Sequence, residues 1–165
     1  MIIRESTIND AEKLLQMLQQ LDRETKFMLF EPGERKLTVA EMEKSLEAIR
    51  KSNSLQLVVE YEDKIVGFLM ARRGTLQRNK HCAYIVIGIL EKYQDKKLGQ
   101  RLFEKMEEWA KETGIKRLEL TVMTHNKAAI NLYEKMGFTK EGIKAKSLLV
   151  DGKLVDEYYM AKLLP

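Results

Sequence analysis

Apolar residues recur at helical spacing in two stretches near the start of the chain. In the first, which runs through about Arg23, they lie three or four positions apart at Leu14, Leu15, Leu18 and Leu21. The second follows residues 38–41, Thr-Val-Ala-Glu, whose spacing matches the capping box of a helix start. Its apolar face comprises Met42, Leu46 and Ile49. The pattern therefore predicts two helices, joined by a loop at 24–36 that breaks the periodicity.

The remaining chain shows mainly strand patterns. Continuous apolar or alternating segments typical of strands occur at residues 2–4, 55–61, 65–71, 84–90 and 117–122. A turn at 62–64 joins two of them in a hairpin, and Asp151-Gly152 between two later strand patterns predicts another. Two further helices are expected, one ending before Gly114 and one following Asn126. The order β-α-α-β-β-β-α-β-α-β-β, with a sheet mostly antiparallel in its first half, indicates the α+β class.

A basic turn, residues 91–99, connects the strand at 84–90 to the helix that follows. It carries Lys92, Lys96 and Lys97. The first amides of a helix lack internal partners and have the positive end of the helix dipole behind them, so such a terminus binds anions, above all phosphates. The alternative is a merely solvated turn. Cations at a helix N-terminus oppose its dipole unless an anion is present, which favours the anion site.

Composition and charge limit the function classes. The 165 residues, 44% hydrophobic and 33% charged, suit one globular domain spanning residues 1–165. The net charge of +4 comes from acids and bases that are interleaved nearly everywhere, so a nucleic-acid partner is not expected. The longest apolar run, 83–90, is too short to span a bilayer. The lone cysteine, Cys82, permits no internal disulfide, which favours the cytoplasm.

Two sequence motifs resemble those of the GNAT superfamily of N-acetyltransferases. The family's acyl-CoA signature is Gln/Arg-x-x-Gly-x-Gly/Ala, and residues 94–99 match it at Gln94 and Gly99, with Lys97 in place of the first glycine. Residues 126–138 match Asn-x-x-Ala-x-x-x-Tyr-x-x-x-Gly-Phe in full. Both motifs occur in the family's order and on the expected elements. The resemblance implies a mixed, mostly antiparallel sheet of about seven strands with helices on both faces.

The resemblance also implies acetyl-CoA as cosubstrate, with no metal. In the family the fourth and fifth strands splay apart and the pantetheine arm lies between them. The residues that this assigns to the cofactor are Ile87, Gly88 and Ile89 on the strand, Gln94, Asp95, Lys96, Lys97, Leu98, Gly99 and Gln100 in the turn, and Asn126. Gly88 indicates a bulge or a close backbone approach, or else only relieves packing. Asn126 can instead cap the next helix, and both roles are compatible.

Tyr133 matches the family tyrosine that protonates the departing thiolate. A tyrosine with its ordinary pKa of about 10 carries a proton at neutral pH and can donate it. The alternative is a core tyrosine whose hydroxyl is bonded to backbone. Either a side chain or a water chain deprotonates the amine. No base is assigned, because Thr121 stands where several family members carry glutamate; the candidates are Glu119, His81 and His125, with Glu31 and Glu34, which can also receive an amine.

The expected activity is transfer of an acetyl group to a primary amine by direct attack. The acceptor is a small amine, polyamine, amino acid or peptide N-terminus. Candidate acceptor residues lie in the loop between the first two helices and in the last strand, and they are Phe27, Phe30, Glu31, Glu34 and Tyr159. Each aromatic one can equally pack beneath a mobile loop. A non-catalytic acyl-CoA sensor module and a nucleic-acid-binding domain are the other hypotheses, and a homodimer stays open.

Overall fold

The computed structural model describes residues 1–165 and contains one seven-stranded sheet with four α-helices. The strands are β1 (Ile2–Glu5), β2 (Leu55–Tyr61), β3 (Lys64–Arg73), β4 (Cys82–Ile89), β5 (Arg117–Met123), β6 (Thr139–Val150) and β7 (Lys153–Leu163). The helices are α1 (Ala11–Glu24), α2 (Val39–Lys51), α3 (Leu98–Thr113) and α4 (Lys127–Lys135). The element order and the α+β class predicted from the sequence are confirmed.

The strands lie in the order β1-β2-β3-β4-β5-β7-β6, and every neighbouring pair is antiparallel except β4 and β5. Local signals place the element ends where the sequence predicted them. The Thr38 hydroxyl accepts a hydrogen bond from the Glu41 amide at 3.1 Å and so caps α2. Asp151 has a φ of 50° in the tight turn between β6 and β7.

Helices cover both faces of the sheet. On one face α1 packs so closely that a Cβ added to Gly88 of β4 would lie 2.4 Å from Leu21. On the other face Lys162 of β7 forms an ion pair of 2.5 Å with Glu107 of α3. The helix α4 lies beside α3, since the Tyr133 and Phe103 rings are 5.6 Å apart. One core cluster of 34 buried residues joins these layers.

Gly88 does not form a bulge, so that part of the expectation is wrong. β3 and β4 pair without a register shift, and Gly88 stands directly opposite Phe68. A Cβ at position 88 would also lie 2.9 Å from the Phe68 ring. The missing side chain therefore makes room for α1 and Phe68, which is the packing alternative.

β4 and β5 run parallel and part after a short pairing. Their paired residues are Cys82 with Arg117, Ala83 with Leu118, and Tyr84 with Glu119. Beyond that point residues 85–89 of β4 pair only with β3, and residues 120–123 of β5 pair only with β7. The gap between these two segments is called the cleft below. It is the splay that the resemblance implies.

Candidate active site

The cleft exposes one edge of β4 backbone. Ile87, Gly88 and Ile89 pair with Leu69, Phe68 and Gly67 on the β3 side, and no strand pairs with them on the β5 side. An unpaired strand edge can bind an extended chain with amide groups by adding it as a further strand. The pantetheine arm of coenzyme A is such a chain, so these backbone groups fit the cosubstrate.

The basic turn begins directly beyond Ile89. The Gln94 side chain donates a hydrogen bond of 3.1 Å to the Ile89 carbonyl and so ties the turn to the end of β4. Asp95 and Lys97 have φ of 61° and 58°, in the left-handed region. Alternation of left- and right-handed residues before a helix turns successive amides toward one point, which is the geometry of an anion-binding nest.

The charges of the turn suit an anion. Lys92, Lys96 and Lys97 form no ion pair within the chain, and the first turn of α3 contains no acid. Lys92 and Lys96 line a depression of about 280 Å³ together with Lys64 and Tyr93. The depression also contains one acid, Glu62, so its three lysines outnumber the acid and make the potential there positive.

Lys97 occupies the position of the first glycine of the acyl-CoA signature and adopts the backbone that glycine would favour. It is the N-cap residue of α3 with φ 58° and ψ 19°. A left-handed conformation costs a residue with a Cβ about 1–2 kcal/mol. Gly99 has another task, since a Cβ there would lie 2.7 Å from Leu132 of α4. It allows α3 and α4 to approach closely behind the nest.

Asn126 caps α4, as the alternative interpretation predicts. Its side-chain oxygen accepts a hydrogen bond of 3.3 Å from the Ala129 amide. The side-chain NH₂ group makes no hydrogen bond to the protein and stays free to donate to a ligand. The contact with the cosubstrate stays a prediction.

Tyr133 is buried on α4, with 8% of its surface exposed. Its ring packs against Phe103 at 5.6 Å and Phe138 at 6.3 Å. Its hydroxyl makes no hydrogen bond to backbone or side chain, so the bonded core tyrosine does not describe it. The hydroxyl oxygen is not fully buried, since Glu47 Oε2 is the one fully buried polar side-chain atom without a partner. Burial raises the pKa of this hydroxyl above its ordinary value, and the nearby Tyr84 hydroxyl raises it further. Tyr133 is therefore a neutral donor at physiological pH.

The candidate acceptor residues are spread over several elements. Phe27 packs on the His125 ring at 5.1 Å, beside the end of β5. Phe30 lies under the Arg35 guanidinium at 4.2 Å. Glu34 accepts a hydrogen bond from the Glu31 amide at 3.0 Å, so these two exposed acids form one turn.

Tyr159 on β7 is half-exposed, directly opposite Thr121 of β5. The structure thus places Phe27 and Tyr159 near β5, whereas Phe30 is held by Arg35 on the loop.

The candidate bases differ in their surroundings. Glu119 accepts a hydrogen bond of 2.6 Å from Arg117, which also bonds Glu141. His81 lies at the start of β4, where β4 and β5 are still paired, while His125 follows β5 at the open end of the cleft. No one of them is singled out as the base.

Two residues at the cleft were missed by sequence reasoning. The Tyr84 hydroxyl lies 2.7 Å from the Thr121 hydroxyl, across the point where β4 and β5 part. Glu24, at the end of α1, accepts a hydrogen bond of 2.9 Å from the Glu91 amide. Both contacts join segments far apart in sequence, so no local pattern indicates them. The alternation of β4 is the one sequence signal that the Tyr84 side chain points away from the core.

A sequence model of the acetyltransferase (GNAT) family matches residues 15–138. The chain belongs to the GNAT family. This match includes the basic turn and the segment 126–138 that carried the resemblance. GNAT proteins use acetyl-CoA as cosubstrate, and the protein is an acetyl-CoA-dependent acyltransferase.

Individual GNAT relatives agree with this assignment. The L-amino acid N-acetyltransferase AaaT of Escherichia coli (strain K12) is 33% identical over 111 residues, 65% of this chain and 67% of that protein. A GNAT-family acetyltransferase from Streptococcus pneumoniae is 34% identical, with a TM-score of 0.95 over 99% of both chains. The yncA protein of Salmonella typhimurium, solved with acetyl-CoA, shares the fold at a TM-score of 0.88 and 18% identity, over 100% of this chain and 94% of that one. No helix of this GNAT protein has the length and apolar character needed to cross a membrane.

Proposed function

We propose that this acetyltransferase transfers the acetyl group of acetyl-CoA to a primary amine of a small molecule or a peptide N-terminus. The amine attacks the thioester directly, without a covalent intermediate on the enzyme. Tyr133 then protonates the sulfur of the departing coenzyme A. The proton that the attacking nitrogen loses passes to a side chain or to water, and Tyr133 regains a proton from solvent. The observation that carries the proposal is the buried Tyr133 side chain, whose hydroxyl has no hydrogen-bond partner in the protein.

The residues around the cleft support binding of acetyl-CoA in one orientation. The amides of residues 94–100 and the three lysines of the basic turn hold the phosphates. The free edge of β4 at residues 87–89 pairs with the pantetheine arm, and the Asn126 NH₂ group donates to it. This arrangement directs the thioester along the cleft toward Tyr133, because the phosphates are held beyond the end of β4.

Amino acids are the first acceptor class to test. The relative AaaT of Escherichia coli is an L-amino acid N-acetyltransferase. Phe27, Glu31 and Glu34 on the α1–α2 loop, together with Tyr159 of β7, line the acceptor side in this proposal. Glu31 and Glu34 form no ion pair within the chain, so they are available to a cationic amine.

The experiment is an acceptor screen that follows thiol release. The protein is incubated with acetyl-CoA and separate pools of L-amino acids, polyamines, aminoglycosides and short peptides. We expect at least one pool to release thiol faster than buffer alone, and mass spectrometry to find the acetylated amine. Tight coenzyme A binding without any acceptor-dependent thiol would instead support the sensor module.

A further inference from the structure

Tyr84 is the last residue of β4 that pairs with β5. Its register partner is Glu119, yet its hydroxyl lies 2.7 Å from the hydroxyl of Thr121, two positions further along β5. The Tyr84 side chain therefore reaches forward over the apex of the cleft. This hydrogen bond links the two strands where their backbone pairing ends.

The Tyr84–Thr121 hydroxyl pair lies on the sheet face away from α3. Lys162 of β7 stands directly opposite Leu118 of β5, and it bonds Glu107 of α3, so this face of the sheet is the α3 face. Alternate residues of a strand point to opposite faces, which puts Thr121 on the other face. Tyr84, bonded to Thr121, shares that face and is 39% exposed.

Tyr133 approaches the cleft from the opposite side. It belongs to α4, which lies beside α3, and its ring packs on Phe103 of α3. The Tyr84 hydroxyl is close enough to raise the pKa of Tyr133. The Tyr84 hydroxyl therefore lies on one face of the sheet, and the Tyr133 ring packs on the other. A thiol held next to Tyr133 leaves the face of Tyr84 and Thr121 as the side from which a second molecule approaches.

The chemistry of the pair suits an amine. One hydroxyl donates to the other, which leaves one O–H donor and free oxygen lone pairs on both groups. Such oxygens accept a hydrogen bond from an amine N–H, and this orients the nitrogen lone pair toward a neighbouring carbonyl carbon. The carboxylate nearest in register, Glu119, is already bound by Arg117 at 2.6 Å. The free acceptors on this part of the face are therefore neutral hydroxyls, those of the pair and of the adjacent Tyr159.

We propose that the Tyr84–Thr121 hydroxyl pair binds the N–H group of the acceptor amine and orients its nitrogen for attack. The inference rests on the proposed function, since it assigns the amine contact for the same reaction. It makes the two residues acceptor-side contacts, distinct from those that hold coenzyme A.

The test compares Tyr84→Phe and Thr121→Val with the wild-type enzyme, using the best amine of the screen. Loss of one hydrogen bond of about 1 kcal/mol predicts a loss of about fivefold or more in kcat/KM for the amine. The affinity for coenzyme A and the slow hydrolysis of acetyl-CoA by water are expected to stay unchanged. The double variant is expected to lose little more than either single variant, because both remove the same contact.

Two control variants separate an amine contact from a structural clamp. Thr121→Ser keeps the hydroxyl and is expected to keep the amine kcat/KM. Tyr158→Phe alters a β7 tyrosine that lies on the other face, under the Lys140 ammonium at 4.4 Å, and is expected to have no effect.

Each contrary result has its own meaning. Wild-type values for the amine in both Tyr84→Phe and Thr121→Val overturn the inference while the proposed function stands. A parallel loss of coenzyme A affinity and thermal stability also overturns it, since the pair then only holds the strands. A wild-type enzyme that acetylates no amine overturns both the proposed function and the inference.

Discussion

Tyr133 owes its free, neutral hydroxyl to its surroundings. The tyrosine stands in the motif, but the missing hydrogen bond and the raised pKa follow from the packing of α4 against Phe103 and Phe138. Burial disfavours the charged phenolate, so the neutral form persists to alkaline pH. A neutral hydroxyl without a partner in the protein is poised to donate to a ligand atom.

Replacing Tyr133 with Phe is expected to lower kcat about tenfold or more, because the departing sulfur loses its proton donor. The affinity for coenzyme A should stay nearly intact, as titration calorimetry can measure. Since the Tyr133 pKa lies above its ordinary value, kcat of the wild type should not fall through Tyr133 ionisation below about pH 10. Equal turnover by the variant would remove Tyr133 as the acid.

Lys97 combines a backbone cost with a charge, and two substitutions separate them. Lys97→Gly removes both, and Lys97→Ala removes only the charge, because alanine keeps the strain of a φ of 58°. We expect the free energy of unfolding of Lys97→Gly to exceed that of Lys97→Ala by about 1 kcal/mol. Denaturant titration measures this difference.

The same two variants test the contact between Lys97 and the phosphates. A cation that faces the phosphates should contribute up to about 1 kcal/mol, so both variants should bind coenzyme A about two- to fivefold more weakly at low salt. The difference should shrink as salt screens the charges. Unchanged or tighter binding by Lys97→Gly would show that the phosphates are held without the lysine.

At the scale of elements, close helix contacts position the edge of β4 and the start of α3. Gly99 lets α3 approach Leu132 of α4 behind the nest, and Gly88 lets α1 approach β4 beside the cleft. Neither glycine has a positive φ, so these positions require the small size of glycine and not its backbone freedom. The signature glycine at 99 therefore positions the start of α3 through packing.

Gly88→Ala tests the contact between α1 and β4. Its Cβ would lie 2.4 Å from Leu21 and 2.9 Å from Phe68, so α1 must shift or its side chains must adopt new rotamers. Overpacking of this kind costs about 1–3 kcal/mol, measured as the free energy of unfolding. Gly142→Ala is the matched control on β6, because no atom lies within 4 Å of its added Cβ. Equal stability of the two variants would contradict the close approach of α1.

At the scale of the molecule, the start of the α1–α2 loop crosses the open end of the cleft. The Glu24 carboxylate accepts a hydrogen bond from the amide of Glu91, two residues after the end of β4. Lys26 forms an ion pair with Asp151 of the β6–β7 turn, and Phe27 packs on His125 after β5. Four separate parts of the chain thus meet around the open end of the cleft, which is the acceptor side in the proposed function.

A buried ion pair anchors the far part of this loop. Arg35 bonds Asp22 of α1 through two nitrogens at 2.8 and 3.1 Å, and Asp22 is only 1% exposed. Arg35→Met leaves the buried carboxylate of Asp22 without its ion-pair partner and should lower the free energy of unfolding by about 3 kcal/mol. The double variant with Asp22→Leu should lose less than the sum of the single variants.

Lys26→Met is the matched control for Arg35→Met on the same loop. Its ion pair with Asp151 is 70% and 61% exposed, so its loss should cost below about 1 kcal/mol. The two variants are compared by chemical denaturation. Similar losses of unfolding free energy in the two variants would mean that the Arg35–Asp22 pair stabilises the fold no more than an exposed ion pair does.

The sequence by itself determined the elements, the sheet class and the two motifs, because these depend on residues close together in the chain. Helical and strand periodicities, the cap at Thr38 and the Asp151-Gly152 turn are local signals. They predicted the order of strands and helices along the chain, and the motifs at 94–99 and 126–138 predicted the family. The position of Lys97 before α3 was readable in the same way.

Only the tertiary structure decided how these parts meet at the cleft. The Tyr84–Thr121 contact depends on where β4 and β5 part, which no local pattern encodes. Gly88 leaves space for α1 and does not form a bulge. This role depends on Leu21 of α1, which lies 67 positions earlier in the chain. The Tyr133 hydroxyl stays free because none of the residues packed around it forms a hydrogen bond with it. Such properties arise from contacts between distant segments, so they exist only once the chain has folded.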